Sequence, residues 1–92
     1  HNMELYFEED DFDGFIAKLG QRNDIQYIGD GVKEAGWGQR TVRFYDLDGH
    51  IIEVGENMKM VVKRFIHSGM SMEETSRRMD VSVSDLEKLL QS

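Results

Sequence analysis

The sequence predicts an α+β protein: a single βαβββ module whose mixed or antiparallel sheet is covered by one helix, followed by a C-terminal helical extension. Three observations carry this. A hairpin-like stretch lies at Trp37–Glu56, one amphipathic stripe stands at Phe12–Leu19, and helical patterns fill the chain after Asn57. The predicted division is residues 1–56 for the module and 57–92 for the extension.

The first strand is read in residues 3–9, MELYFEE, where Leu5 and Phe7 alternate with Glu4, Tyr6 and Glu8. Asp10 or Asp11 then caps a helix, because a short carboxylate accepts the free amide bonds at the positive end of the helix dipole. Phe12, Phe15, Ile16 and Leu19 fall at helical spacing, and Gly20 is placed to stop the helix. Ile25 to Val32 reads as a second strand, weakened by Gly29 and Gly31. The arms QRTVRFY and HIIEVG flank Asp46-Leu47-Asp48-Gly49, a tight turn in which Asp bonds its own backbone and Gly accepts positive φ. Alternation puts Val42, Phe44, Ile52 and Val54 on one face. The helix is expected to cover these together with Leu5 and Phe7.

The opposite face then collects Glu4, Tyr6, Glu8, Thr41, Arg43, Tyr45, Ile51 and Glu53. For an arbitrary antiparallel sheet such a face is simply solvated. Arg43 can neutralise Glu53 or Glu4 across the hairpin, and the tyrosines can pack an interface. Trp37 reads as a packing or rim residue, or as a stacking platform, and His50 as structural.

Composition narrows the classes. Residues 1–56 hold 5 Lys/Arg and 13 Asp/Glu, a net of −8, whereas residues 57–92 hold 6 and 5, a net of +1. An acidic body disfavours nucleic acid, whose phosphates supply most nonspecific affinity. There is no cysteine for a disulfide or a thiolate metal site. No apolar run approaches the ~20 residues of a membrane span. A cytoplasmic protein of bacterial type fits these facts. Glu9 to Gly14 imitates the start of a calcium loop, but its twelfth position is Gly20, which offers no carboxylate.

The hairpin also carries a resemblance. Trp37-Gly38 leading into a strand, the Asp46–Gly49 turn and Glu53 in the last strand resemble the closing hairpin of a vicinal oxygen chelate module. That superfamily contains glyoxalase I, bleomycin- and fosfomycin-resistance proteins and extradiol dioxygenases. Leu47 departs from it, since the family commonly has proline there. The resemblance spans roughly residues 2 to 56 and implies two modules pairing their open faces into a cup for metal and substrate. A homodimer or a missing N-terminal module would supply the second half, and Met3 then reads as an interior residue rather than a start after a tag remnant.

The resemblance further implies metal ligands at Glu4, six residues before Asp10, and at Glu53, with a divalent Ni, Zn, Mn or Fe ion as the cofactor. Histidine is commoner than glutamate at the first position. Glu53 would be the catalytic carboxylate, moving a proton beside an oxygen polarised by the cation. Tyr6, Arg43, Tyr45 and Trp37 would bind substrate. The alternative is that Glu4 and Glu53 line a metal-free pocket or pair with Arg43. The implied function is therefore metal-dependent lyase or isomerase work on a small molecule, or non-catalytic sequestration of one; the third reading is a regulator whose module senses a ligand while its tail contacts DNA.

In the extension, Met58, Val61, Val62, Phe65 and Ile66 form an apolar stripe closed by Gly69. Ser71–Glu74 and Ser84–Glu87 match capping boxes. The segment GMSMEETSRRMDVSVSDLEKLL resembles a helix-turn-helix unit of bacterial regulators. Its second helix sets Asp85 and Glu87 against Lys88, which speaks against the major groove. Met58, Val62, Phe65, Leu86, Leu89 and Leu90 are expected to pack onto the body or onto a partner subunit.

Overall fold

The computed structural model describes residues 4–29 and 31–92. Met3, where the first strand was expected to begin, and Asp30, within the expected second strand, lie outside the described residues. The chain folds as β1 (Glu4–Glu9), α1 (Phe12–Gly20), β2 (Gln26–Tyr27), β3 (Lys33–Glu34), β4 (Arg40–Tyr45), β5 (Ile51–Glu56), α2 (Met58–His67), α3 (Met72–Met79) and α4 (Val83–Gln91). The sheet is mixed, in the order β1-β5-β4-β2, with β3 also on β4. β1 runs parallel to β5, and the other pairs are antiparallel. This is the α+β module with a helical tail that the pattern predicts.

Local chemistry sets most element ends. Asp11 accepts the Gly14 amide at 3.1 Å and starts α1. Phe12 and Leu19 of α1 are buried against Val42, Phe44 and Val54, with Phe15, Ile16 and Ile52 around them. Two expectations fail on this side. Leu5 and Phe7 remain 38% and 53% exposed, because β1 is the sheet edge and the apolar stripe of α1 sits over β4 and β5. Ile25–Val32 is also not one strand. Gly29 and Gly31 both take positive φ, which breaks the extended run and leaves only the two-residue strand β2 before the separate β3.

The tail builds a core of its own. Val61, Val62 and Phe65 of α2 meet Met79 of α3 and Leu86 of α4, all nearly or fully buried. The expected packing of this stripe onto the body is therefore corrected. Three short amphipathic helices turn their apolar sides on one another, and Phe65 also reaches back to the sheet module, at Gly38. The first capping box forms as read, Ser71 and Glu74 exchanging bonds of 3.1 and 3.0 Å. The second does not. Ser82, rather than Ser84, accepts the Asp85 amide at 3.1 Å and admits Val83 into α4. No described helix is long and apolar enough to cross a membrane.

Candidate functional site

The face of the sheet turned away from α1 carries the candidate residues. Register places Tyr6 of β1 and Arg43 of β4 on either side of Glu53 in β5. Glu4 lies one step earlier on β1. Arg43 Nη2 reaches Glu4 Oε1 at 3.0 Å, and Arg43 Nε lies 3.3 Å from Glu53 Oε1. The second contact is ionic but poorly aimed, and that buried Nε donates no hydrogen bond. One guanidinium thus serves two carboxylates.

A second group sits further along the same face. Gln39 precedes β4 in step with Thr41 and Arg43, and its side chain is buried. Its Nε2 donates to the Tyr6 hydroxyl at 2.9 Å and to the Glu56 carbonyl at 3.0 Å, while its Oε1 accepts from Trp37 Nε1 at 3.3 Å. The Tyr6 hydroxyl in turn donates to Glu8 Oε2 at 3.3 Å. Gly55 makes room for this junction, since a Cβ there would stand 2.5 Å from the Tyr6 hydroxyl and 2.8 Å from Gln39 Nε2. Burial pushes the Tyr6 phenol above its ordinary pKa, reinforced by the charge of Glu8 and only partly opposed by Gln39. Tyr6 therefore stays protonated at neutral pH and acts as a donor.

Of the sequence-predicted residues, the structure joins Glu4, Arg43 and Glu53 in one cluster, and Tyr6 and Trp37 in the other. Tyr45 lies one step beyond Arg43, opposite Ile51 and Gln26. Among the described residues its hydroxyl bonds to neither group. Gln39 was missed, although continuing the alternation of β4 upstream would have put it on this face. Glu56 was missed too. It is 3% exposed on the apolar side of β5, a position where a charge signals partners. Arg40 and Arg64 supply them at 3.1 and 3.0 Å. Burial alone would raise the Glu56 carboxyl pKa, but bonds from Arg64 and Arg40 outweigh it and hold the group below its ordinary value. The cleft beside it, lined by Asp10, Asp13, Arg40, Glu56, Lys63 and His67, lies on the α1 side, away from the Arg43 cluster.

A divalent cation between Glu4 and Glu53 would need both carboxylates, and Arg43 already engages them. The residues as arranged do not fit the metal that the resemblance implies. Among the described residues, the group of His and acidic side chains close enough to share an ion is Asp46, Asp48 and His50, with ligand atoms within 4.8 Å. Asp46 is committed there to the turn: Oδ1 accepts the amides of Asp48 and His50 at 2.9 and 2.8 Å, and Oδ2 lies 3.1 Å from His50 Nδ1. The His50 amide and then its ring hold the Asp46 carboxyl below its usual pKa.

Sequence comparison agrees with this architecture. The family model for a glyoxalase-like domain matches residues 1–59. The chain belongs to the glyoxalase-like domain family. It is thereby placed in the vicinal oxygen chelate superfamily, whose members often use divalent metals. No curated protein matches this glyoxalase-like chain. It is similar to a protein of unknown function from Agrobacterium tumefaciens str. C58 known from a crystal structure, at 45% identity and a TM-score of 0.51. The match covers 61% of this chain and 42% of that one, so the glyoxalase-like chain spans less than half of its relative's length.

Proposed function

We propose that the open sheet face is one wall of a cup that binds a small planar molecule bearing a positive charge, without a metal. A second βαβββ module completes the cup, from another copy of this chain or from a further segment of a longer protein. The observation that carries this reading is the Glu4–Arg43–Glu53 cluster, in which two carboxylates share one guanidinium and one negative charge is left over. An anion would meet two carboxylates there, whereas a cation finds one to spare. Trp37 and Tyr6, each 49% exposed, offer ring faces for stacking and cation–π contact. The exposed Leu5 and Phe7 on the unpaired edge of β1 support a neighbouring module, because apolar sheet edges are seldom left open to water.

Metal-dependent lyase or isomerase chemistry of the glyoxalase type is the second reading. Its support is that Glu4 and Glu53 share a face, and it requires Arg43 to release them.

A planar aminoacridine cation titrated against the dialysed protein tests the proposal, with the emission of the single tryptophan, Trp37, as readout. Saturable quenching is expected, and Glu53→Gln should weaken it about tenfold, equivalent to about 1.4 kcal/mol. Unchanged affinity in both Glu53→Gln and Glu4→Gln would sink the reading. Stoichiometric Ni, Zn, Mn or Fe in purified protein, lost in both variants, would replace it with the metal-dependent enzyme.

A further inference from the structure

The helical tail reaches the sheet module at Glu34, at Glu56 and along one short segment, Gly36–Gln39, which carries Trp37 and Gln39 to the open face. Arg78 of α3 bonds the Gly36 carbonyl through Nη1 and Glu34 Oε2 through Nη2, the latter at 2.7 Å. Arg64 of α2 bonds the Gly38 carbonyl and both oxygens of Glu56. Both guanidiniums lie over the Phe65 ring, 4.9 and 5.4 Å from its centroid. The ring itself fills the space under Gly38, where a Cβ would stand 2.4 Å from Phe65 Cζ and the backbone holds φ +95°. Any side chain at position 38 is excluded twice, by the ring and by the left-handed conformation. On the far side of the segment, Gln39 grips Tyr6, Trp37 and the Glu56 carbonyl.

We infer that α2 and α3 set the shape of the ligand-facing wall: Arg78, Arg64 and Phe65 clamp Gly36–Gln39, and Gln39 passes that placement to Trp37 and Tyr6. The inference rests on the open face being the ligand site, and it makes Gln39, Arg64 and Arg78 positioning residues of that site. The arrangement is specific. Two arginines from different helices bond carbonyls within one turn, and that turn, closed by Gly38 N to Ala35 O at 2.8 Å, holds the only tryptophan. Loosening the tail would free the stacking ring and the phenol donor together, with the sheet intact beneath them.

The test uses the full chain and no ligand, so its outcome is independent of whether an aminoacridine binds. Arg78→Ala removes only partly exposed bonds and should fold. Its amide order parameters over Gly36–Gln39 should fall from the rigid range, about 0.85, to below about 0.6, and the single indole N–H resonance should move. The amides of Val42 and Val54 should stay rigid. Gln39→Met, which conserves volume, should shift both the indole resonance and the Tyr6 ring signals. An unmoved segment in Arg78→Ala overturns the clamp, and so does loosening of Val42 and Val54 in step with it. An unmoved Tyr6 in Gln39→Met overturns the relay.

Discussion

Two of the molecule's arginine–glutamate clusters are built in opposite proportions. On the open face two glutamates share Arg43, and side-chain exposures of 49%, 40% and 28% for Glu4, Arg43 and Glu53 leave the group in contact with water. At the junction with α2, two arginines share Glu56, whose side chain is 4% exposed. The difference teaches what each is for. A buried carboxylate must have its lone pairs filled, so Arg40 and Arg64 surround Glu56 and weld the last strand to the first tail helix. A wetted carboxylate tolerates an incomplete partner, so Glu53 keeps attraction to spare, which the proposed cationic ligand would use. The fold hides its complete cluster and shows its incomplete one.

Breaking the two clusters should separate them sharply. Glu56→Ala removes the buried carboxylate that two guanidiniums share and should lower unfolding free energy by about 3–5 kcal/mol in urea titrations. Glu4→Gln, by contrast, should change stability by no more than about 1 kcal/mol, the range of an exposed pair, while still weakening aminoacridine binding. A comparable loss for both would erase the distinction.

Acid sharpens the same contrast. The Glu56 carboxyl has a folded pKa depressed below its unfolded value. Its contribution is thus fully present above the ordinary carboxylate pKa and is lost as pH falls through the folded one. Stability should drop on acidification below the usual glutamate range, and Glu56→Gln should flatten that limb. Glu4→Gln should leave it in place.

Much of this was legible beforehand. Alternation in β1, β4 and β5 places Glu4, Tyr6, Arg43 and Glu53 on one face, because pleated strands leave no other choice once Val42 and Val54 point inward. The residues leave open a metal site, a metal-free pocket, or Arg43 neutralising Glu53 or Glu4; the structure has Arg43 on both. What escaped depends on more than periodicity. Gly29 and Gly31 shorten a strand by their backbone conformation, although the weakening they bring was visible. Gln39 is defined by a junction of three distant elements, β1, the end of β5 and the Trp37 turn. Whether three amphipathic helices face each other or the sheet depends on connection geometry, which apolar spacing does not encode.

β1 and β5 are the first and last strands of the module, yet they lie side by side. Their pairing closes a loop that runs through nearly the whole module, at an entropic cost that local pairing does not incur. The β4–β5 hairpin can form within microseconds as an isolated event, but Tyr6 has no seat until Gly55 is in place beside Glu56. The proposed ligand wall can therefore be complete only once the chain has been synthesised past β5.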